Sequence, residues 1–285
     1  MKYGVFSVGM PEYSVEETVK VLKEIGYHGV EWRVQNGVPK AIPENIDYER
    51  RYWQYNLSTL NIDTIAEDAE GIYNLCAQAG LEVCSLSTYT KPHETEKIEN
   101  ALRAAVTMKC PQIRVNAPQY DGTKNYWEIL EEARQAIGEL EILAKKYGVK
   151  INFEQHMGTI IPSASACYRL VSGFDPKYIG ITVDPGNMVN EGYENYKMGI
   201  EILGDYLAHV HIKNSCWKFV KTDDNGMDVW NPEWVPLKKG SANLTGFIQL
   251  LKEYGYDKYL CIEDFSNQDD TLTKLKDGLE FLKSV

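Results

Sequence analysis

Four times in this chain an amphipathic helical run stops at a glycine and a β-rich run follows within a few residues. The four stretches are VKVLKEIGYHGVEWRV, YNLCAQAGLEVCSL, EILAKKYGVKINFE and LLKEYGYDKYLCIE. The glycine supplies the left-handed turn that ends a helix, and the β-branched and aromatic residues after it start a strand. Further strands are legible at YGVFSV, PQIRVNA, YIGITVD and AHVHIK, with helical patterns between them. Eight strand–helix units in 285 residues are what a (β/α)8 barrel, a TIM barrel of the α/β class, requires. A doubly wound open sheet uses the same units. However, no GxGxxG follows the first strand, no GxxxxGK[ST] occurs, and no Pro/Gly/Ser linker divides the chain. The expectation is one barrel domain over residues 1–285.

Composition narrows the function classes. With 44% hydrophobic and 25% charged residues the chain can build a sizeable core. A formal charge of −11, with no local basic run, repels phosphate backbones and anionic membranes, which excludes nucleic acid and the membrane surface as partners. The N-terminal MKYGVFSVGMPEYS is too short in its apolar run and too glycine-rich for a secretory signal. Six cysteines without a CxxC pair, several in apolar contexts, fit reduced core residues and a cytoplasmic location.

Reading the strands in phase separates two sets of side chains. In GVEWR, Val30 and Trp32 alternate with Glu31; in KINFEQH, Ile151 and Phe153 alternate with Glu154 and His156. In ITVDPGN, Ile181 and Val183 alternate with Thr182 and Asp184; in AHVHIKN, Val210 and Ile212 alternate with His209, His211 and Lys213. In YLCIED, Leu260 and Ile262 alternate with Cys261 and Glu263. The apolar set would face the helices and the polar set the barrel axis. Strands five to eight then deliver Glu154, Asp184, His211 and Glu263 to one place near their C-terminal ends. Three carboxylates that close repel one another unless a cation compensates them. Three oxygens and an imidazole suit one divalent ion, Mn²⁺ or Mg²⁺ first, with Zn²⁺ or Co²⁺ as alternatives. Taken singly, each has a blander use: a salt-bridge glutamate, a turn aspartate before Pro-Gly-Asn, an interior histidine, a solvated acidic turn at Glu263–Asp264. Four in phase on consecutive strands point to a shared ion.

At these residues the chain resembles the xylose-isomerase-like barrels, which include sugar and sugar-phosphate isomerases and epimerases. The likeness runs from GYHGVEWR through INFEQH, ITVDPGN and HVHIKN to YLCIED. It implies that Glu154, Asp184, His211 and Glu263 hold one divalent metal ion, and that Glu154 and Glu263 are also the catalytic acid/base pair on opposite faces of a sugar. The chain departs from the family pattern at Asn187, where many members carry His, and at Asn214, where many carry Asp. The arginine that contacts substrate in ketose 3-epimerases has no clear match, although Lys213 and Lys218 lie nearby.

The expected activity is isomerisation or epimerisation of a small sugar or sugar phosphate, by proton transfer through a metal-stabilised enediolate. The alternatives are a lyase dehydrating a keto-cyclitol (an inosose) and a catalytically silent sugar-binding barrel. An abasic-site endonuclease on this scaffold needs many histidines and a basic groove, whereas this chain has five histidines and a strong negative charge. Candidate substrate-binding residues are His156, Asn187, His209 and Lys213. His156 either binds a hydroxyl or supports the site from behind, and one of His209 and His211 is expected to be supporting. His28, at the start of strand two, carries no expected role; His93, after strand three, lies on the substrate-binding face. Aromatic residues crowd the long segments after strands two and seven (Tyr48, Tyr52, Trp53, Tyr55, Trp217, Phe219, Trp230, Trp234). They suit either a lid over a sugar or the interface of a homo-oligomer.

Overall fold

The computed structural model describes residues 1–39 and 41–285. Eight parallel strands form the barrel: β1 (Lys2–Phe6), β2 (Gly29–Gln35), β3 (Glu82–Thr88), β4 (Gln112–Val115), β5 (Lys150–Glu154), β6 (Ile179–Val183), β7 (Leu207–Ile212) and β8 (Tyr259–Ile262). Each pairs with its sequence neighbours, and β1 pairs with both β2 and β8 through Gly4↔Gly29 and Gly4↔Cys261, which closes the cylinder. Closure selects the barrel over the open sheet.

The glycine-ended helices form as the spacing predicts. Ser14 and Glu17 make a reciprocal cap at the start of helix Val15–Ile25, and Gly26 ends it at φ 97°. Gly148, at φ 67°, ends the long helix Tyr126–Tyr147 two residues before β5 begins. That geometry favours glycine because a Cβ would crowd the backbone there. Both caps set where the next strand enters the barrel, and therefore which of its residues reach the far end.

The core is divided as the alternation requires. Val30, Trp32, Ile151, Phe153, Ile181, Val183, Val210, Ile212, Leu260 and Ile262 are all buried. They lie in one continuous apolar cluster with the helices. The buried polar set occupies the interior and includes Glu31, Arg33, Arg114, Asn152, Glu154, His209, His211 and Glu263. All six cysteines are free and five are buried. Among the described residues no helix is long and apolar enough to cross a membrane.

The two long segments carry more order than an irregular reading of their sequence gives. After β2, Asp47 caps a short helix, Tyr48–Trp53. After β7, Ser215–Thr222 and Asp228–Trp234 pair as an antiparallel hairpin. Its turn is TDDNGMD, in which Asp223 Oδ1 accepts hydrogen bonds from the backbone of Asn225 and Met227. An Asn-Gly turn between aromatic-rich runs is a hairpin signal.

Candidate active site

The site is assembled at the C-terminal ends of β5 to β8. β5 ends on Glu154. β6 stops at Val183, and the next residue, Asp184, caps helix Pro185–Asn190. Its Oδ1 accepts from the Asn187 backbone at 3.0 Å, which leaves Oδ2 aimed into the barrel. Asp184 is thus both the expected turn residue and a member of the cluster. Oδ2 is buried and forms an ion pair with the Lys213 ammonium 2.8 Å away. His211 Nδ1 stands 3.2 Å from Glu154 Oε1, 3.7 Å from Glu263 Oε2 and 3.8 Å from Asp184 Oδ2. One atom from each of the four residues falls within 4.8 Å of the other three. Ligands bonded to one ion at about 2.0–2.3 Å stand about 3–4 Å apart, so this donor set has room for a divalent cation.

Charge in this group is balanced by specific neighbours. Burial alone would raise the Glu154 carboxyl, but the Arg114 guanidinium bonded to it and the His211 ring hold it well below the usual carboxylate range. Burial pushes Glu263 up to about 7, with Glu154 and Asp184 adding repulsion, although Lys213 and His211 oppose the rise. The two glutamates therefore sit on opposite sides of their ordinary value. Burial would lower His211, yet Glu31 and Glu154 outweigh it and raise the ring well above its usual range. Lys213 is raised by Asp184 and Glu263 against its burial and stays protonated.

The expected substrate-binding residues separate by depth. Lys213 and His156 line a cavity of about 390 Å³ whose floor also carries Arg114, Glu154 and Glu263. Asn187 lies below the floor, donating to Glu154 Oε1 at 3.2 Å and to the Gln155 carbonyl at 3.0 Å. His209 is placed elsewhere than expected. Its Nε2 meets Glu31 Oε2 at 2.7 Å in the closed interior, and it is absent from the cavity lining. Two residues along a strand amount to about 7 Å, which puts His209 one layer beneath His211. His28 accepts from the Tyr3 backbone at the opposite mouth.

Two residues matter more than the sequence reading allowed. Glu31 is 1% exposed and contacts His209, His211 Nε2 and Ser87, so it orients the ring that faces the carboxylates. Arg114, the partner of Glu154, is in phase with the interior set of QIRV, and the alternation that found Glu154 could have found it. Of the loop aromatics, only Trp53 and Trp234 reach the cavity, joined by Tyr89 and Phe265. Tyr52 is buried against Tyr48 and Lys274, while Trp217, Phe219 and Trp230 lie exposed on the hairpin.

Comparison with known proteins places the chain in a family. An inosose dehydratase of Clostridium perfringens is 30% identical over 199 residues, covering 61% of this chain and 65% of that one. The match spans less than two thirds of the dehydratase's length. The apo crystal structure of 3-keto-D-glucoside 4-epimerase from E. coli superposes with a TM-score of 0.72 at 17% identity, covering all of both chains. The IolI protein with a zinc atom superposes with a TM-score of 0.68 at 16% identity, covering 100% of this chain and 98% of that one. At these identities the structural likeness speaks to the fold. Residues 19–285 match the xylose isomerase-like TIM barrel family, and the chain belongs to it.

Proposed function

We propose that the protein is a divalent-metal-dependent isomerase or epimerase of a small keto-sugar or sugar phosphate. The observation that carries this reading is a pair of buried glutamates, Glu154 and Glu263, that line one cavity floor and share a four-residue donor cluster with Asp184 and His211. Two carboxylates flanking one substrate position can take a proton from it and return one. Glu154, held ionised by Arg114, removes the proton α to the substrate carbonyl; Glu263, across the cluster, passes a proton to the other face. Lys213 stays charged and offsets negative charge that develops on the substrate. Trp53, Trp234 and Phe265 exclude water and offer faces to the sugar's C–H side. A divalent ion held by Glu154, Asp184, His211 and Glu263 would supply Lewis-acid polarisation of the carbonyl. The donor set supports that ion, as does the zinc atom in the IolI structure.

The inosose dehydratase relatives favour a second reading, a lyase that begins with the same proton removal by Glu154 and then expels a β-hydroxyl. A screen of keto-sugars, their phosphates and inososes with metal-supplemented protein, followed by NMR, separates the two. New stereochemistry at unchanged composition marks the epimerase, and loss of water marks the lyase. No turnover of any of them would count against both.

Two predictions concern the ion. Metal binds deprotonated donors, and both His211 and Glu263 carry protons on the acid side of neutrality. Affinity should therefore rise with pH between about 6 and 8, with one to two protons released per ion. Titration calorimetry in buffers of different ionisation enthalpy measures this, and a flat affinity over that range would contradict it. Glu31→Gln should weaken metal binding by about ten- to a hundredfold, because His211 loses the carboxylate that orients it. Unchanged affinity in that variant would remove Glu31 from the positioning role.

A further inference from the structure

His209, which stays out of the cavity with the reacting groups, belongs to a second cluster one layer lower in the barrel. The Glu31 carboxylate, a His209 ring nitrogen and the Cys261 sulfur all lie within 4.8 Å of one another. None of the three residues is more than 1% exposed. A second sulfur adjoins them, because Cys84 Sγ stands 3.5 Å from Cys261 Sγ. Two thiolates bound to one tetrahedral ion at about 2.3 Å are about 3.8 Å apart, so this pair is already near that spacing. Gly4 of β1 makes the room for both: a Cβ there would lie 2.8 Å from Cys261 Sγ and 3.4 Å from Cys84 Sγ.

One nitrogen of this cluster is left over. His209 Nε2 meets Glu31, but Nδ1 is buried with no hydrogen-bond partner among the described residues. Buried polar atoms are ordinarily paired, and an exception calls for an ion or a water as its partner. Cys84 and His209 also line a cavity of about 360 Å³ at the N-terminal mouth, among the first residues of β1, β4, β5 and β8. Space therefore adjoins two of the donors.

We infer that Glu31, His209, Cys84 and Cys261 hold a Zn²⁺ ion of their own, about 7 Å below the cluster of Glu154, Asp184, His211 and Glu263. Sulfur and imidazole donors select zinc, whereas the oxygen-rich upper set suits Mn²⁺ or Mg²⁺. The thiols release their protons to solvent as the ion binds. With every donor buried the site is structural. It ties β2, β3, β7 and β8 together and fixes Glu31 against His211 Nε2. Lys2, Lys150 and Lys258 line the adjoining cavity and repel a free cation, so the ion enters as the chain folds.

The test uses protein produced in medium supplemented with Co²⁺, which substitutes for Zn²⁺ and absorbs in the near ultraviolet when thiolates bind it. Elemental analysis should count two divalent ions per chain, and the sulfur-to-cobalt band should be present. Cys261→Ser should lose the band and one ion. Asp184→Ala should lose the other ion and keep the band, which separates this site from the proposed catalytic one. A single ion that carries the band would support the lower site and sink the upper one. Wild-type protein with no band and no more than one ion per chain would overturn the inference. An unchanged band and ion count in the Cys261→Ser protein would overturn it too. The wild-type spectrum decides without any substitution, so a variant that fails to fold does not shield the inference.

Discussion

Glu154→Gln and Glu263→Gln, each loaded with metal, are expected to lose about two to four orders of magnitude in kcat. Each substitution keeps the side-chain shape and one oxygen donor while removing the group that takes or gives the proton. The two should differ in stability. Glu154 is the ion-pair partner of Arg114, and both are buried. Breaking a buried pair from one side costs about 3–5 kcal/mol, because the remaining charge is left uncompensated. Glu263→Gln leaves Lys213 its contact with Asp184, so that variant should unfold closer to wild type. Urea unfolding gives the stabilities and single-turnover kinetics give the chemistry. Near-normal kcat in either metal-loaded variant would remove that glutamate from proton transfer.

Asp184 permits a sharper separation of roles, because its two oxygens do different things. Oδ1 caps the helix that follows β6, and Oδ2 faces His211. Asp184→Asn keeps an oxygen for the cap and removes the negative charge; Asp184→Ala removes both. Metal affinity should fall by at least about a hundredfold in both variants, since losing a direct ligand exceeds the loss of a supporting one. Only the alanine variant should also lose the cap, worth about 1 kcal/mol. Elemental analysis after dialysis and thermal unfolding measure the two effects independently. Full metal occupancy in both variants would show that Asp184 is no ligand.

Four of the eight barrel strands were legible because two local signals coincide, a glycine stopping a helix and a β-rich run just after it; the other four were read from β-rich runs between helical patterns. Period-two alternation brought Glu154, Asp184, His211 and Glu263 into one set, and the structure brings their donor atoms together. Alternation gives the direction of a side chain and says nothing of its depth. That is why His209 and His211 looked equivalent in sequence, although one meets Glu31 in a lower layer and the other meets the carboxylates above. Pairings across the barrel, such as Arg114 with Glu154 or Glu31 with His211, depend on closure and on strand stagger, which no local pattern encodes. The aromatic walls were partly legible. Trp53 and Trp234 were visible as loop aromatics, but selecting them over Trp217 and Trp230 required the hairpin that turns the latter outward.

Turnover in D₂O tests the account most directly. A carboxylate that takes the α proton exchanges it with solvent while the enediolate survives, so deuterium should appear at the carbon next to the carbonyl. It is expected in product, and in recovered substrate when return is faster than release. Burial of Glu154 and Glu263 allows some of the original hydrogen to be recycled, so incorporation below one atom per turnover still agrees with the account. Incorporation should fall with kcat in the Glu154→Gln protein. Complete retention of the substrate hydrogen over many turnovers, read by NMR, would mean that it moves directly between carbons and would contradict proton transfer through Glu154 and Glu263.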